Sequence, residues 1–210
     1  YDKSNHVLGN ASWDWTGGLL TNFEHMNLSL VAVFDVKVGA DLYSMSARAA
    51  YESGKSPETL AGRDAWYRSE EERLAAGIAK GADNWKPTGG FVAPGVIDNG
   101  DGTYRPNDIY INPEDYWMSV CRNAPSMFIY DNSYVKCREL TLSYNVPKSW
   151  LKNVVSGLTV SFVARNPFIV WKNIPNIDPD SNYNNTTGMG LEYGSLPSRR
   201  SYGFNVNVKF

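Results

Sequence analysis

The sequence is poor in the residues that most often carry chemistry. Its 210 residues hold two cysteines and two histidines. Cys121 and Cys137 are too few for a disulfide scaffold, and no CxxC pair or mixed Cys/His cluster points to zinc. His6 and His25 stand in different segments, without the HExxH spacing of a helical metal site. There is no GxSxG elbow and no phosphate-binding glycine loop, and Asp14, Glu24 and Asp35 are scattered. No enzyme, cofactor or metal site is therefore expected. A basic surplus is also missing: 20 Lys and Arg face 22 Asp and Glu, a net charge of −2, so nothing argues for nucleic acid. No run reaches the roughly 18 apolar residues of a membrane helix. The longest apolar stretch, 28–38, is broken by Ser29, Asp35 and Lys37. The chain opens on Tyr1 without a leader-like segment, so a signal peptide is absent or already lost, and an N-terminal part is expected to be missing.

Aromatic residues and two-residue periodicity are abundant instead. Seven Trp and 13 Tyr suit places with one apolar and one wet side: glycan grooves, protein interfaces or membrane–water boundaries. The closing stretch, SYGFNVNVKF, alternates without a break: Tyr202, Phe204, Val206, Val208 and Phe210 are apolar, and the residues between them are small or polar. The same period marks candidate strands at 17–24, 27–38, 133–146, 158–166 and 199–210. Along 27–38, Leu28, Leu30, Ala32, Phe34, Val36 and Val38 share a face. Along 133–146, Tyr134, Leu140, Leu142, Tyr144 and Val146 do so, with Lys136 and Arg138 interrupting its upper end. Pro147 ends that strand.

The connections are short, very long, short, long. The long ones cover 40–130 and 167–197, and the first is too long to be featureless. Within it, 41–52 reads as a short helix. Ser69 and Glu72 read as a capping box, opening a helix that stops near Gly81. DNGDGTY at 98–104 reads as a hairpin tip.

Antiparallel strands of this length, with short turns at one end and long loops at the other, are the pattern of outer-membrane barrels. In a barrel the apolar face meets lipid and the polar face lines the lumen. In a soluble sandwich the apolar face is the core, and the period alone does not separate the two. A secreted β-sandwich that binds glycans therefore stays open as the alternative. Polar faces bearing Asp35, Lys37, Glu139, Arg165, Asn205, Asn207 and Lys209, with aromatics at strand ends, favour the barrel.

Four stretches carry a family resemblance. SYVKCRELTLSYNVP, ARNPFIVWKNIPNIDPD and LPSRRSYGFNVNVKF resemble the C-terminal part of the SusC/RagA-like TonB-dependent transporters of Bacteroidetes, and GNASWDWTGGLLTNFEHMNLSLVAVFDVKVG resembles an upstream hairpin of that family. Residues 50–125 carry little of the match. Cys137 replaces an aliphatic residue, and 11–13 lacks a usual proline. The resemblance implies an all-β fold: antiparallel strands forming the C-terminal part of a large transmembrane barrel, with long extracellular loops containing short helices. The family closes about 22 strands around a plug, so the plug and most of the barrel are expected to lie outside 1–210.

The resemblance further implies import of oligosaccharides or peptides across the bacterial outer membrane. The implied partners are a SusD-like surface lipoprotein acting as a lid, TonB acting through the absent N-terminal part, outer-membrane lipid, and the barrel-assembly machinery. That machinery would read Tyr202, Phe204, Val206, Val208 and Phe210. Trp66, Tyr67, Trp85, Tyr104, Tyr110, Tyr116 and Trp117 in the first long loop are the candidates to touch ligand or lid, because aromatic rings stack on sugars and anchor interfaces. The alternation places Cys137 on the polar face of its strand, within reach of a loop, which leaves a Cys121–Cys137 disulfide open. Asp178, Asp180, Asn182 and Asn184 alternate in the second long loop; oxygen-rich loops such as this one and 98–101 can hold calcium, but neither has EF-hand spacing, and turn chemistry is the favoured reading of both.

Overall fold

The computed structural model describes residues 6–152, 154–182 and 188–210. It divides into two units: Met45–Phe128, and His6–Ser44 together with Ile129–Phe210. The second unit begins with β1 (Trp15–His25), β2 (Leu28–Val38) and β3 (Asp41–Ser44). The first unit follows as an insertion: α1 (Met45–Glu52), α2 (Arg63–Ala75), the short strands β4 (Phe91–Val92), β5 (Val96–Asp98), β6 (Tyr104–Pro106) and β7 (Tyr110–Ile111), and α3 (Pro113–Asn123). The chain then returns to the second unit with β8 (Ile129–Asp131), β9 (Tyr134–Asn145), β10 (Gly157–Lys172), β11 (Leu191–Glu192) and β12 (Ser201–Lys209).

The main sheet has the order β1-β2-β9-β10-β12, antiparallel throughout. Met26 adopts a φ of 54°, which lets the chain reverse between β1 and β2 within two residues. Rows of facing residues give each side its character. Leu30, Leu142, Phe162 and Phe204 lie in one row, and Leu28, Tyr144, Val160 and Val206 in the next. One step along, Ser29, Ser143, Ser161 and Asn205 face the other way, with the Ser143 and Ser161 hydroxyls 2.8 Å apart. The apolar side is bare: Leu19, Phe23 and Phe204 are 56%, 66% and 80% exposed. A β-sandwich would bury that face against a second sheet.

Three register shifts rearrange the upper part of the sheet. On β9, Val33 pairs with Glu139 and Phe34 with Cys137, so Arg138 has no opposite number on β2. One extra residue reverses the alternation beyond it. Tyr134 and Lys136 therefore join the polar face, opposite Lys37 and Asp35, instead of sharing the apolar face with Leu140. Cys137 moves the other way, to the apolar side between Phe34 and Phe168, which corrects its expected place on the polar face. The other two are on β10, between Arg165 and Phe168 and between Ile169 and Trp171. At the first of these Asn166 takes a left-handed φ of 48°, and Pro167, which has no N–H to give to a ladder, sits at the irregularity. The strand then continues to Lys172, six residues beyond the expected end at 166.

In the inserted unit, the helix expected from Ser69 begins earlier, at Arg63. Its N-cap is Gly62, with φ 76° and no side-chain cap, and it ends at Ala75. Glycine is required at that cap, because a Cβ there would lie 2.4 Å from the Gly90 carbonyl oxygen. Ser69 is buried mid-helix; its Oγ accepts from the Thr88 backbone N–H at 2.9 Å, while Glu72 accepts from the Thr88 hydroxyl at 2.5 Å. The pair that resembles a capping box thus ties the 76–90 segment to the helix side. β5 and β6 form the hairpin around 98–104, and β4 pairs with β7. α3 has a conventional start: Asn112 accepts from the Glu114 N–H at 3.1 Å, and Pro113 occupies the first turn.

Candidate functional site

Two constellations stand out, one in each unit. In the sheet unit, the β9 bulge gathers charge on the polar face. Arg138 donates to Asp35 Oδ2 (Nε at 3.1 Å, Nη2 at 2.5 Å) and to both oxygens of Asp180 (2.5 and 2.9 Å). Lys136, 2% exposed, donates to Asp180 Oδ2 at 2.6 Å and to Asp178 Oδ1 at 3.2 Å, and also contacts the Ser198 hydroxyl. The Tyr134 hydroxyl donates to Asp180 Oδ1 at 2.7 Å. Trp13 meets the Tyr134 ring edge-on at 5.8 Å, and Lys37 Nζ lies 5.4 Å from the Trp13 ring centre.

This cluster fastens the segment after β10 to the sheet. Asp178 accepts from the Ser198 N–H at 2.9 Å, Asn132 donates to the Pro179 carbonyl at 3.0 Å, and Lys172 donates to the Ile177 carbonyl at 2.6 Å. Burial alone would raise the Asp180 carboxyl, but hydrogen bonds from Arg138, Lys136 and Tyr134 outweigh it and hold the group well below the usual carboxylate range. Asp178 is lowered too: burial again opposes the shift, and Ser198, the Asp180 N–H and Lys136 overcome it. The two aspartates considered as oxygen ligands are thus neutralised by protein cations. Among the described residues no group of His, Cys, Asp and Glu comes together to hold a metal ion, and Asn184 lies outside those residues.

The second constellation is aromatic and belongs to the inserted unit. Tyr116 packs on Phe91 (centroids 4.6 Å) and Trp117 (5.0 Å), and Tyr51 meets Trp117 at 4.9 Å and Phe128 at 5.5 Å. Two clefts adjoin this cluster and share Trp66. One, of about 420 Å³, is lined by Tyr51, Arg63, Tyr67 and Trp117. The other, of about 540 Å³, is lined by Arg73, Lys80, Trp85, Tyr110 and Tyr116. Six of the seven aromatic candidates therefore line a cleft. Tyr104, 66% exposed on β6, lines neither. The indole N–H groups of Trp85 and Trp117 are buried without an acceptor among the described residues.

The remaining sequence candidates lie elsewhere. Tyr202, Phe204, Val206 and Val208 run along the apolar side of the edge strand β12, and Phe210 is 97% exposed. The disulfide between Cys121 and Cys137 is not formed: both are free, buried thiols, Cys121 contacting the Arg48 carbonyl at 3.7 Å and Cys137 the Glu139 carbonyl at 3.6 Å. Burial pushes the Cys121 thiol up. Sequence reasoning missed the charge cluster, although two cations on a nominally apolar strand face were its signal.

No protein-family model matches the chain. The TonB-dependent receptor P3 of Formosa agariphila is 33% identical over 95 residues, covering 42% of this chain and 10% of that protein. Among solved structures, the RagAB peptide importer in its closed-closed state superposes with a TM-score of 0.56 at 18% identity, over 97% of this chain and 18% of the solved one. The open-open state gives 0.53 at 18% identity, over 93% and 17%. Over those 95 residues the chain is similar to a TonB-dependent receptor, and its fold is that of part of the RagAB chains. It spans about a tenth of the length of the curated relative and under a fifth of each solved chain. The structural likeness extends over the inserted unit, where the sequence motifs of the family are faint.

Proposed function

We propose that this chain supplies wall strands and ligand-facing loops to an outer-membrane, TonB-dependent importer of oligosaccharides or peptides. The observation that carries the reading is the two-sided main sheet: a continuous apolar face lies exposed, and the opposite face is polar and holds a buried charge cluster. That is the arrangement of a barrel wall with lipid outside and a wet lumen inside. The connections agree. The 26–27 turn and the 146–156 connection lie at one end of the sheet; the insertion and the segment after β10 leave from the other. The former end is the periplasmic one in this reading, the latter the extracellular one. Lys209 pairs with Gly157, so Phe210 lies beside what is the periplasmic end in this reading.

The rest of the barrel would pair with the free edges of β1 and β12, since a spanning sheet leaves no open edge in lipid. A SusD-like lipoprotein would close over the loop end, and TonB would act on the plug. The test uses spin labels placed singly from 203 to 208 in the whole transporter in lipid bilayers. Oxygen should reach labels at 204, 206 and 208, and a soluble nickel complex should reach 205 and 207. Equal nickel access on both faces would overturn the reading.

A further inference from the structure

RagAB is a peptide importer. We propose that the cleft walled by Trp66, Trp85, Tyr110 and Tyr116 is a binding subsite for an uncharged pyranose ring. This rests on the importer reading and names the class of cargo that one of its loops would hold.

The walls come from three separated stretches: Trp66 from α2, Trp85 from the segment beyond it, and Tyr110 and Tyr116 from β7 and α3. Convergence of this kind is built by the fold, not by local sequence. Two of the rings are set firmly in place. Tyr116 is packed between Phe91 and Trp117. Trp66 lies against the backbone at Gly90, where a Cβ would come 3.0 Å from Trp66 Cε3 and 2.8 Å from the Ile111 carbonyl oxygen. Tyr110 is 41% exposed, so its ring still has a free surface. Partly open, rigid aromatic surfaces bind flat apolar faces at low entropic cost. A pyranose presents such a face on its C–H side and hydroxyls around its edge.

Charge decides against an ionic ligand. Arg73 is committed within the protein, donating to both oxygens of Glu70 (3.1 and 2.9 Å) and to the Ile78 carbonyl at 2.5 Å. That leaves Lys80 and Asp115 as one charge of each sign, with Asn112 Nδ2 3.2 Å from Asp115 Oδ2. A sulfated or uronate sugar would need a surplus of cations, and no surplus exists. A peptide would be read by a run of backbone donors and acceptors, and the only strand in this wall, β7, is two residues long and already paired with β4. The volume of about 540 Å³ admits one or two sugar rings.

The test is saturation-transfer NMR on the whole transporter in detergent. The probes are maltohexaose, cellohexaose, laminarihexaose and mannohexaose, with hexauronate and penta-alanine as the competing classes. At least one neutral hexaose should receive saturation at its ring C–H protons. Trp66→Ala and Tyr110→Ala should each weaken that hexaose at least tenfold, while Val96→Ala leaves it unchanged. Near-UV circular dichroism of each variant checks that the unit still folds, and Tyr110→Ala, at a half-exposed ring, serves if Trp66→Ala does not. Binding that survives Tyr110→Ala, preference for the uronate or the peptide, or no neutral hexaose bound would each overturn the proposal. None of these outcomes touches the spin-label pattern, so the importer reading stands or falls separately.

Discussion

Arg138 reaches Asp35 with two donors, at 3.1 and 2.5 Å, from the one position in the β2–β9 pairing that has no partner on β2. The bulge and the ion pair explain each other. An unpaired residue on a strand is free to turn its side chain to either face, and here the carboxylates of Asp35 and Asp180 draw it to the polar one. Removing the guanidinium leaves Asp35 without its cation and Asp180 with Lys136 and Tyr134 alone, in a poorly hydrated place. Arg138→Met is expected to cost about 2–4 kcal/mol, somewhat less than a fully buried broken pair because the side chain is 28% exposed. The double variant Arg138→Met/Asp180→Asn should recover part of that loss. Urea titrations of the whole protein in lipid measure both, and a single variant as stable as the parent would refute the pairing.

Acid should loosen the segment that the cluster fastens. Asp178 and Asp180 lie outside the strands, and both carboxyls are held below their ordinary range. A group whose folded pKa is depressed binds fewer protons in the folded state. Its stabilisation is complete above the unfolded value, about 4, and fades as pH falls through the folded value. The groups facing these carboxylates are Lys136, Arg138, Tyr134 and Ser198, with Asp35 across the Arg138 guanidinium. Pepsin cleavage within 173–198 should therefore be slow and constant near pH 5 and accelerate below about pH 4. Asp180→Asn should already be cleaved readily at pH 5. Cleavage independent of pH in the parent would sink this account.

What the sequence made legible was the alternation, and what it hid was where the alternation breaks. The rows through Leu142, Phe162 and Phe204 follow directly from period two. A bulge adds one residue without altering composition, so Lys136 and Arg138 read as blemishes on an apolar face when they mark its reversal. Asn166-Pro167 reads as a strand end for a similar reason: proline is a stop signal in a regular ladder, yet it is admitted at an irregularity. At α2 the misleading feature was Ser69 with Glu72, since the true start has only Gly62 and no capping side chain. The aromatic residues were visible one by one, but their convergence on shared clefts depends on packing between segments far apart in the chain, which no local pattern encodes.

The two sides of β12 should answer oppositely to the same substitution. Val206 faces the apolar side beside Val160, and Asn207 faces the polar side beside Thr159. If lipid lies against the first, Val206→Arg costs about 2–4 kcal/mol when placed near the bilayer midplane. Asn207→Arg enters a wet lumen and should cost under about 1 kcal/mol. Folding yield into liposomes, read by heat-modifiable migration on gels, ranks the two. Equal losses would mean that both faces meet the same medium.

Trp117 separates ring packing from hydrogen bonding in the inserted unit. Its ring contacts Tyr51, Phe91 and Tyr116 at centroid distances of 4.9, 5.9 and 5.0 Å. Its indole N–H is buried without an acceptor among the described residues. An unpaired buried donor costs about 1–3 kcal/mol of lost hydration, whereas the ring itself contributes through area and aromatic contacts. Trp117→Phe removes the donor and keeps a ring, so the gain offsets much of the lost packing and the net change should stay within about 1 kcal/mol. Trp117→Ala keeps neither and opens a cavity, for a loss of about 3–5 kcal/mol. Hydrogen exchange along α3 in the whole protein reads the difference. Protection should be nearly parental in the Phe variant and collapse in the Ala variant. Equal loss of protection in both would show that the N–H is satisfied after all and that the indole, not the ring cluster, holds this unit together.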